Sequence, residues 1–137
     1  MKIKNLKNKF LYLIAVGISI FVLFFVITCT WIGFDIKQKC FETKKEYGKD
    51  NCTEAMIEQL NDENKGFRAR NSAIWALGQL GDSRALTVLQ KYYTRDIPNR
   101  EPIDGVISQY ELKKAINLTS GGVNITAVFW RYGLTKK

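Results

Sequence analysis

The sequence predicts an all-α protein: one apolar N-terminal helix followed by a short stack of about three helical hairpins. Two observations carry this expectation. The 25 residues FLYLIAVGISIFVLFFVITCTWIGF, Phe10 to Phe34, hold no charge and are bounded by Lys9 and Asp35. Beyond them, apolar residues recur at spacings of three and four, in segments separated by Gly-containing polar turns.

At about 1.5 Å of rise per residue, the Phe10–Phe34 run exceeds the roughly 30 Å hydrocarbon core of a bilayer. It reads as an uncleaved signal anchor. A cleaved secretory signal is the alternative, but it calls for a shorter apolar region and a small-x-small cleavage site, and Ile27, Thr28, Cys29, Thr30 and Trp31 fit such a site poorly. The chain therefore divides into a basic tail (1–9), a transmembrane anchor (10–34) and a helical domain (35–137). Lys2, Lys4, Lys7 and Lys9 precede the anchor, yet Lys37, Lys39, Lys44, Lys45 and Lys49 follow it, so the positive-inside bias nearly cancels. The format, a short basic N-terminus, one anchor and a long polar remainder, places the domain on the exported side. Trp31 stands where an interfacial aromatic belongs.

Net charge is +8, from 21 basic and 13 acidic residues. Setting aside the four N-terminal lysines leaves 17 basic residues against 13 acidic ones, dispersed and of mixed sign. No nucleic-acid partner is expected from that pattern. The sequence holds no His, which removes the commonest general base and metal ligand. Three scattered Cys do not make a zinc site, and no Gly-rich stretch has phosphate-loop spacing. No catalytic residue, metal ligand or cofactor is expected. Glu54, Glu58, Asp62 and Glu63 read as a solvated helix face.

Within the domain, Ile36, Cys40 with Phe41, and Tyr47 mark a helical stripe ended by Gly48. Thr53 offers an N-cap for a second helix carrying Met56, Ile57 and Leu60. If these two segments fold back on each other, Cys52 approaches Cys40, and a Cys40–Cys52 disulfide is expected, implying an oxidising compartment; two unpaired small residues are the alternative. Ala69, Ala73, Ala76, Leu77 and Leu80 then give a helix face of mostly small side chains, which lets another helix come close. Gly81 ends that helix in the left-handed conformation, and Asp82 or Ser83 caps the next, whose apolar side is Ala85, Leu86, Val88, Leu89 and Tyr92.

In this stretch Arg70, Ala73, Ala76, Leu77, Gly78, Leu80, Gly81, Asp82, Arg84, Ala85 and Leu89 follow the pattern R-x-x-A-x-x-A-L-G-x-L-G-D-x-R-A-x-x-x-L. It resembles the HEAT-like repeat, in particular the short bacterial kind known from phycobilisome lyases. The resemblance covers about 27 residues, departs from the pattern in the bulk of Ile74 and Trp75, and implies an α-solenoid. Within it, Arg70, Asp82 and Arg84 are implied to satisfy helix ends and join neighbouring repeats. The hairpin before it resembles a degenerate first repeat, and the chain from Ile107 onward a degenerate third.

Thr94 to Gly105, holding both prolines, is too long for a solenoid turn. Ser108 with Glu111 forms a capping-box pattern opening a helix through Leu112, Ala115 and Ile116, stopped at Gly121-Gly122. The aromatic end NITAVFWRYGL reads as a final helix covering the stack, with a strand as the alternative. The functional expectation is a membrane-anchored scaffold that binds another protein, on exposed helix faces or the Thr94–Gly105 loop, and contacts lipid through residues 10–34. The alternatives are a bilin lyase-like or chaperone-type helper, or a structural subunit of a membrane complex.

Overall fold

The computed structural model describes residues 2–102, 104–132 and 134, with side chains from Lys7 onward, so the side chains of Lys2 and Lys4 lie outside the described residues. Its elements are α1 (Lys2–Tyr47), α2 (Cys52–Asn61), α3 (Phe67–Leu80), α4 (Leu86–Tyr92) and α5 (Gln109–Thr119). Two 3-10 turns, Ser83–Ala85 and Thr126–Phe129, complete them. No strand occurs among the described residues, and the all-α expectation holds.

The apolar run and the first helix of the repeat domain are one helix. No Gly, Pro or polar turn lies between Phe34 and Ile36 to break it, and α1 continues without interruption to Tyr47. Its hydroxyls cost nothing in an apolar setting, because Ser19, Thr28 and Thr30 donate back to the carbonyls of Ala15, Phe24 and Val26 at 2.8–2.9 Å. A buried stripe of Cys29, Gly33, Ile36, Cys40 and Thr43, at spacings of four and three, runs along one side. Phe41, expected beside Cys40 on that stripe, is 71% exposed. It stands one position, about 100°, round the helix from Cys40, and Thr43 takes the inward place instead.

Gly48, at φ 61°, ends α1. The N-cap of α2 is Asn51, whose Oδ1 accepts from the amides of Thr53 and Glu54 at 2.9 and 3.4 Å. Thr53, the expected cap, lies inside the helix and is buried. Asn51 prevails because α2 already begins at Cys52, which puts the Asn side chain two and three residues ahead of the donors a cap must reach.

At the centre, α3 packs between α2 and α5, and α4 lies against α5. Ala73, Ile74, Ala76, Leu77 and Leu80 of α3 meet Met56, Leu60, Leu89 and Leu112 in a single core. Fully burying each of the larger side chains contributes about 1.5–3 kcal/mol. Small residues set the spacing. A Cβ placed on Gly78 would stand 2.9 Å from the Cα of Ala115, so α3 and α5 touch backbone to backbone at that point.

The C-terminal segment departs from the expected final helix. It makes the single 3-10 turn Thr126–Phe129, then folds Trp130 against Gly33 of α1. Gly121-Gly122 and the β-branched run Val123, Ile125 and Thr126 leave too few helix-favouring residues for a longer element.

Candidate interaction surface

Of the residues singled out in the central repeat, Arg70 to Leu80 lie in α3, Gly81 to Ala85 at the corner after it, and Leu89 in α4. Arg70 is 9% exposed, and its Nε donates to the carbonyl of Leu60 at the end of α2, 2.8 Å away. Its guanidinium lies over the Phe67 and Tyr92 rings, 6.0 and 5.6 Å from their centres. Gly81 takes φ 63° and returns its amide to Leu77. Asp82 caps the following turn by accepting from the Arg84 amide at 3.0 Å, and it accepts from the Thr53 hydroxyl of α2 at 3.0 Å. Arg84 in turn donates from Nε and Nη2 to Asp82 and lies 3.5 Å from Glu54. Hydrogen bonds from Arg84 hold the Asp82 carboxyl below the usual carboxylate range. Ala73, Ala76 and Leu77 are fully enclosed in the core.

The two departures from the repeat pattern find separate places. Ile74 is wholly buried, whereas Trp75 is half-buried beneath the Lys39 ammonium, 4.8 Å from its ring centre. Cys40 and Cys52 face each other with their Cα atoms 5.2 Å apart, inside the span a disulfide requires. Of the four carboxylates read as a solvated face, three have partners: Glu54 pairs with Arg84, Glu58 with Lys49 at 3.0 Å, and Asp62 accepts from the Tyr47 hydroxyl at 2.9 Å. Burial, then the hydrogen bond to Asp62, pushes the Tyr47 phenol up, and the same bond holds Asp62 down. Lys65 closes the same corner on Glu46. Among the described residues, no group of three or more His, Cys, Asp or Glu is placed to hold a metal ion.

Three residues that matter were not singled out from the sequence. Asn71, 8% exposed, bridges α3 to the start of α5: its amide donates to the Val106 carbonyl, and its Oδ1 accepts from the Ser108 amide, both at 2.9 Å. Glu101 accepts from the Ser108 hydroxyl at 2.5 Å and from the amides of Gln109 and Tyr110 at 2.7 and 3.3 Å. The reach back to the Ser108 amide foreseen for Glu111 is made by Asn71, and Glu111 instead accepts from Lys114 at 3.1 Å. Ser108 itself caps as expected, accepting from the Glu111 amide at 3.1 Å. Arg131 donates to the Gln79 carbonyl at the end of α3, 2.7 Å away, and partial burial lowers its pKa. A polar residue at an interior helix position, as Asn71 is, gave a readable hint; Glu101 and Arg131 act across the fold, where local sequence is silent.

The Thr94–Gly105 loop is therefore engaged. Besides Glu101, Asp104 pairs with Arg68 at 3.0 Å, and Thr94 donates to Gln109. Outward polar surface remains on α4 and α5, at Thr87, Gln90, Lys91, Tyr110, Lys113 and Asn117. Separate hollows lie where the domain meets the apolar helix. One of about 330 Å³ is lined by Trp31, Ile32, Asp35 and Trp75, and another of about 350 Å³ by residues of α1 and the C-terminal segment, including Phe34, Lys37, Trp130 and Tyr132.

No curated protein or solved structure matches the chain. The family model of the PBS lyase HEAT-like repeat does match, over residues 69–94; that stretch takes in all but the first two residues of α3, the corner and α4, and there the chain is similar to a HEAT-like repeat.

Proposed function

We propose that this chain is a membrane-anchored scaffold that binds another protein and performs no catalysis of its own. Residues 1–9 serve as its basic tail, 10–34 as its anchor and 35–137 as its repeat domain. The observation that carries the reading is the HEAT-like repeat at the centre of the stack, joined to the apolar run by one unbroken helix. Stacked repeats bury their apolar faces on each other and leave extended outer faces for partners. With the long loop engaged, the partner surface is the outward side of α4 and α5. The anchor reading is supported by the length and hydropathy of α1. Cys40 and Cys52, at bridging distance, are proposed to form a disulfide, and the domain is then on the exported, oxidising side.

Crosslinking in intact membranes tests the scaffold. The expected product joins α4 or α5 peptides to a second, different protein, with a yield that falls when Lys113 or Tyr110 is replaced by Glu. A constant one-to-one product insensitive to those changes makes the chain a structural subunit instead. Protease added to right-side-out vesicles is expected to cleave beyond Asp35, and protection of the domain overturns the exported placement. Alkylation without reductant is expected to leave Cys40 and Cys52 unlabelled. The lyase in the family's name favours a second reading, a bilin lyase-like helper. Incubation with a bilin and a cysteine-bearing acceptor protein is expected to give no covalent adduct.

A further inference from the structure

We propose that the C-terminal turn Thr126–Phe129, with Trp130 and Tyr132, is a second membrane contact. It forms an aromatic wedge at the acyl–headgroup boundary beside α1 that seats the repeat domain on the bilayer surface. The proposal rests on residues 10–34 being a membrane span, and its test separates the two.

Three observations place the wedge. The Phe129 ring meets the Phe25 ring edge to face, with centres 5.8 Å apart and planes at 78°, and Phe25 lies well inside the uncharged run. Trp130 sits so tightly on Gly33 that a Cβ there would stand 2.6 Å from its own Cβ, and Cys29 is 4% exposed although its neighbours on the run are open. Arg131 pins the turn from the other side through the Gln79 carbonyl.

Helix length sets the depth. Twenty-five residues span ~37 Å against a hydrocarbon core of ~30 Å, so about five stand outside it. If those are residues 30–34, Gly33 and Trp130 lie at headgroup level. Phe25 and Phe129 then lie ~6 Å below the boundary, within the 5–10 Å typical of interfacial anchors.

Chemistry names the occupant. Phe129 is 67% exposed and Tyr132 84%, and both line one hollow with Phe34 of α1, itself 65% exposed. This apolar surface adjoins that of the spanning segment, so the medium that solvates the one reaches the other. Tyr132 and Lys37 line one hollow with Phe34, which puts a phenol and a cation at the level of the phosphates, the arrangement interfacial aromatics and basic residues adopt. A second copy of the chain or another membrane protein is the competing occupant.

The test uses the full chain in phosphatidylcholine vesicles containing a lipid with a photoactivatable diazirine near the carbonyl end of its acyl chain. Adducts are mapped after trypsin digestion. The expected result is lipid adducts both within residues 10–34 and on the peptide 115–131, which carries Phe129. Phe129→Glu, at a side chain 67% exposed, is expected to abolish the second adduct and spare the first. Adducts on 10–34 alone, or a 115–131 adduct insensitive to Phe129→Glu, overturn the wedge and leave the anchor standing. Protein–protein products through 115–131 in place of lipid adducts overturn it in favour of a protein partner. Absence of adducts everywhere overturns the anchor and the wedge with it.

Discussion

Asp82 has three roles: it caps the turn after α3, ion-pairs with Arg84 and accepts from Thr53 of α2. Its pKa is depressed, chiefly by the hydrogen bonds from Arg84. A depressed carboxylate stabilises the fold fully above its unfolded pKa near 4, and the contribution is lost as pH falls through the lower folded value. Asp82→Asn is therefore expected to lower stability by about 1–2 kcal/mol near neutral pH, the usual cost of losing a cap. The gap between variant and parent should close below about pH 4, read as thermal midpoint against pH. Asp62 titrates in the same acid region, so the difference between the two proteins is the informative quantity. Gly78 is a second sensitive point. A larger residue gains about 1 kcal/mol or less of helix propensity but must push against the Ala115 backbone 2.9 Å away. Gly78→Val is expected to cost about 1–3 kcal/mol, and a thermal midpoint no lower than the parent's contradicts the close contact of α3 and α5.

At the scale of elements, the α5 N-terminus shows how a helix is started after a long loop. The eleven-residue helix starts after the longest loop of the chain, and Glu101 reaches from that loop to two of its first amides and to the Ser108 hydroxyl. Glu101→Gln keeps the shape and removes the charge at the positive end of the helix. It is expected to cost about 1 kcal/mol and to speed amide exchange in the first turn of α5 without affecting α2. Helices α2, α3, α4 and α5 were legible from spacing because their cores are built from local periodicity, Ala73 to Leu80 above all. So were the Gly81 and Ser108 boundaries, which depend on a residue's own backbone or on one side chain three positions away. Glu101 and Arg131 were not legible, and Asn71 only as a polar residue inside a helix, since each bonds backbone groups 8 to 52 residues distant along paths no periodicity encodes. The last segment misled because, of its aromatic residues, Trp130 is buried and packs on α1, at the far end of the chain, while Phe129 and Tyr132 stay exposed.

For the whole molecule, the decisive feature is that the stripe Cys29, Gly33, Ile36, Cys40 and Thr43 passes through the end of the apolar run without a break in helix or register. Sequence alone divides the chain at Asp35 because charge begins there, while packing begins some six residues earlier. Inserting one Ala between Phe34 and Asp35 turns the two parts of the stripe about 100° apart. It is expected to strip Trp130 from Gly33 at a cost of ~3 kcal/mol, that of unburying one large aromatic. The same insertion after Gly17, below the contact, is expected to leave the domain's thermal midpoint and protease resistance unchanged. Equal effects from both insertions contradict the continuity of packing. That continuity also makes the protein a lever. At 46 residues, α1 is a rod of ~69 Å with no joint at the membrane surface, so with its first part in a bilayer, any change of tilt imposed by membrane thickness swings the repeat stack through the same angle.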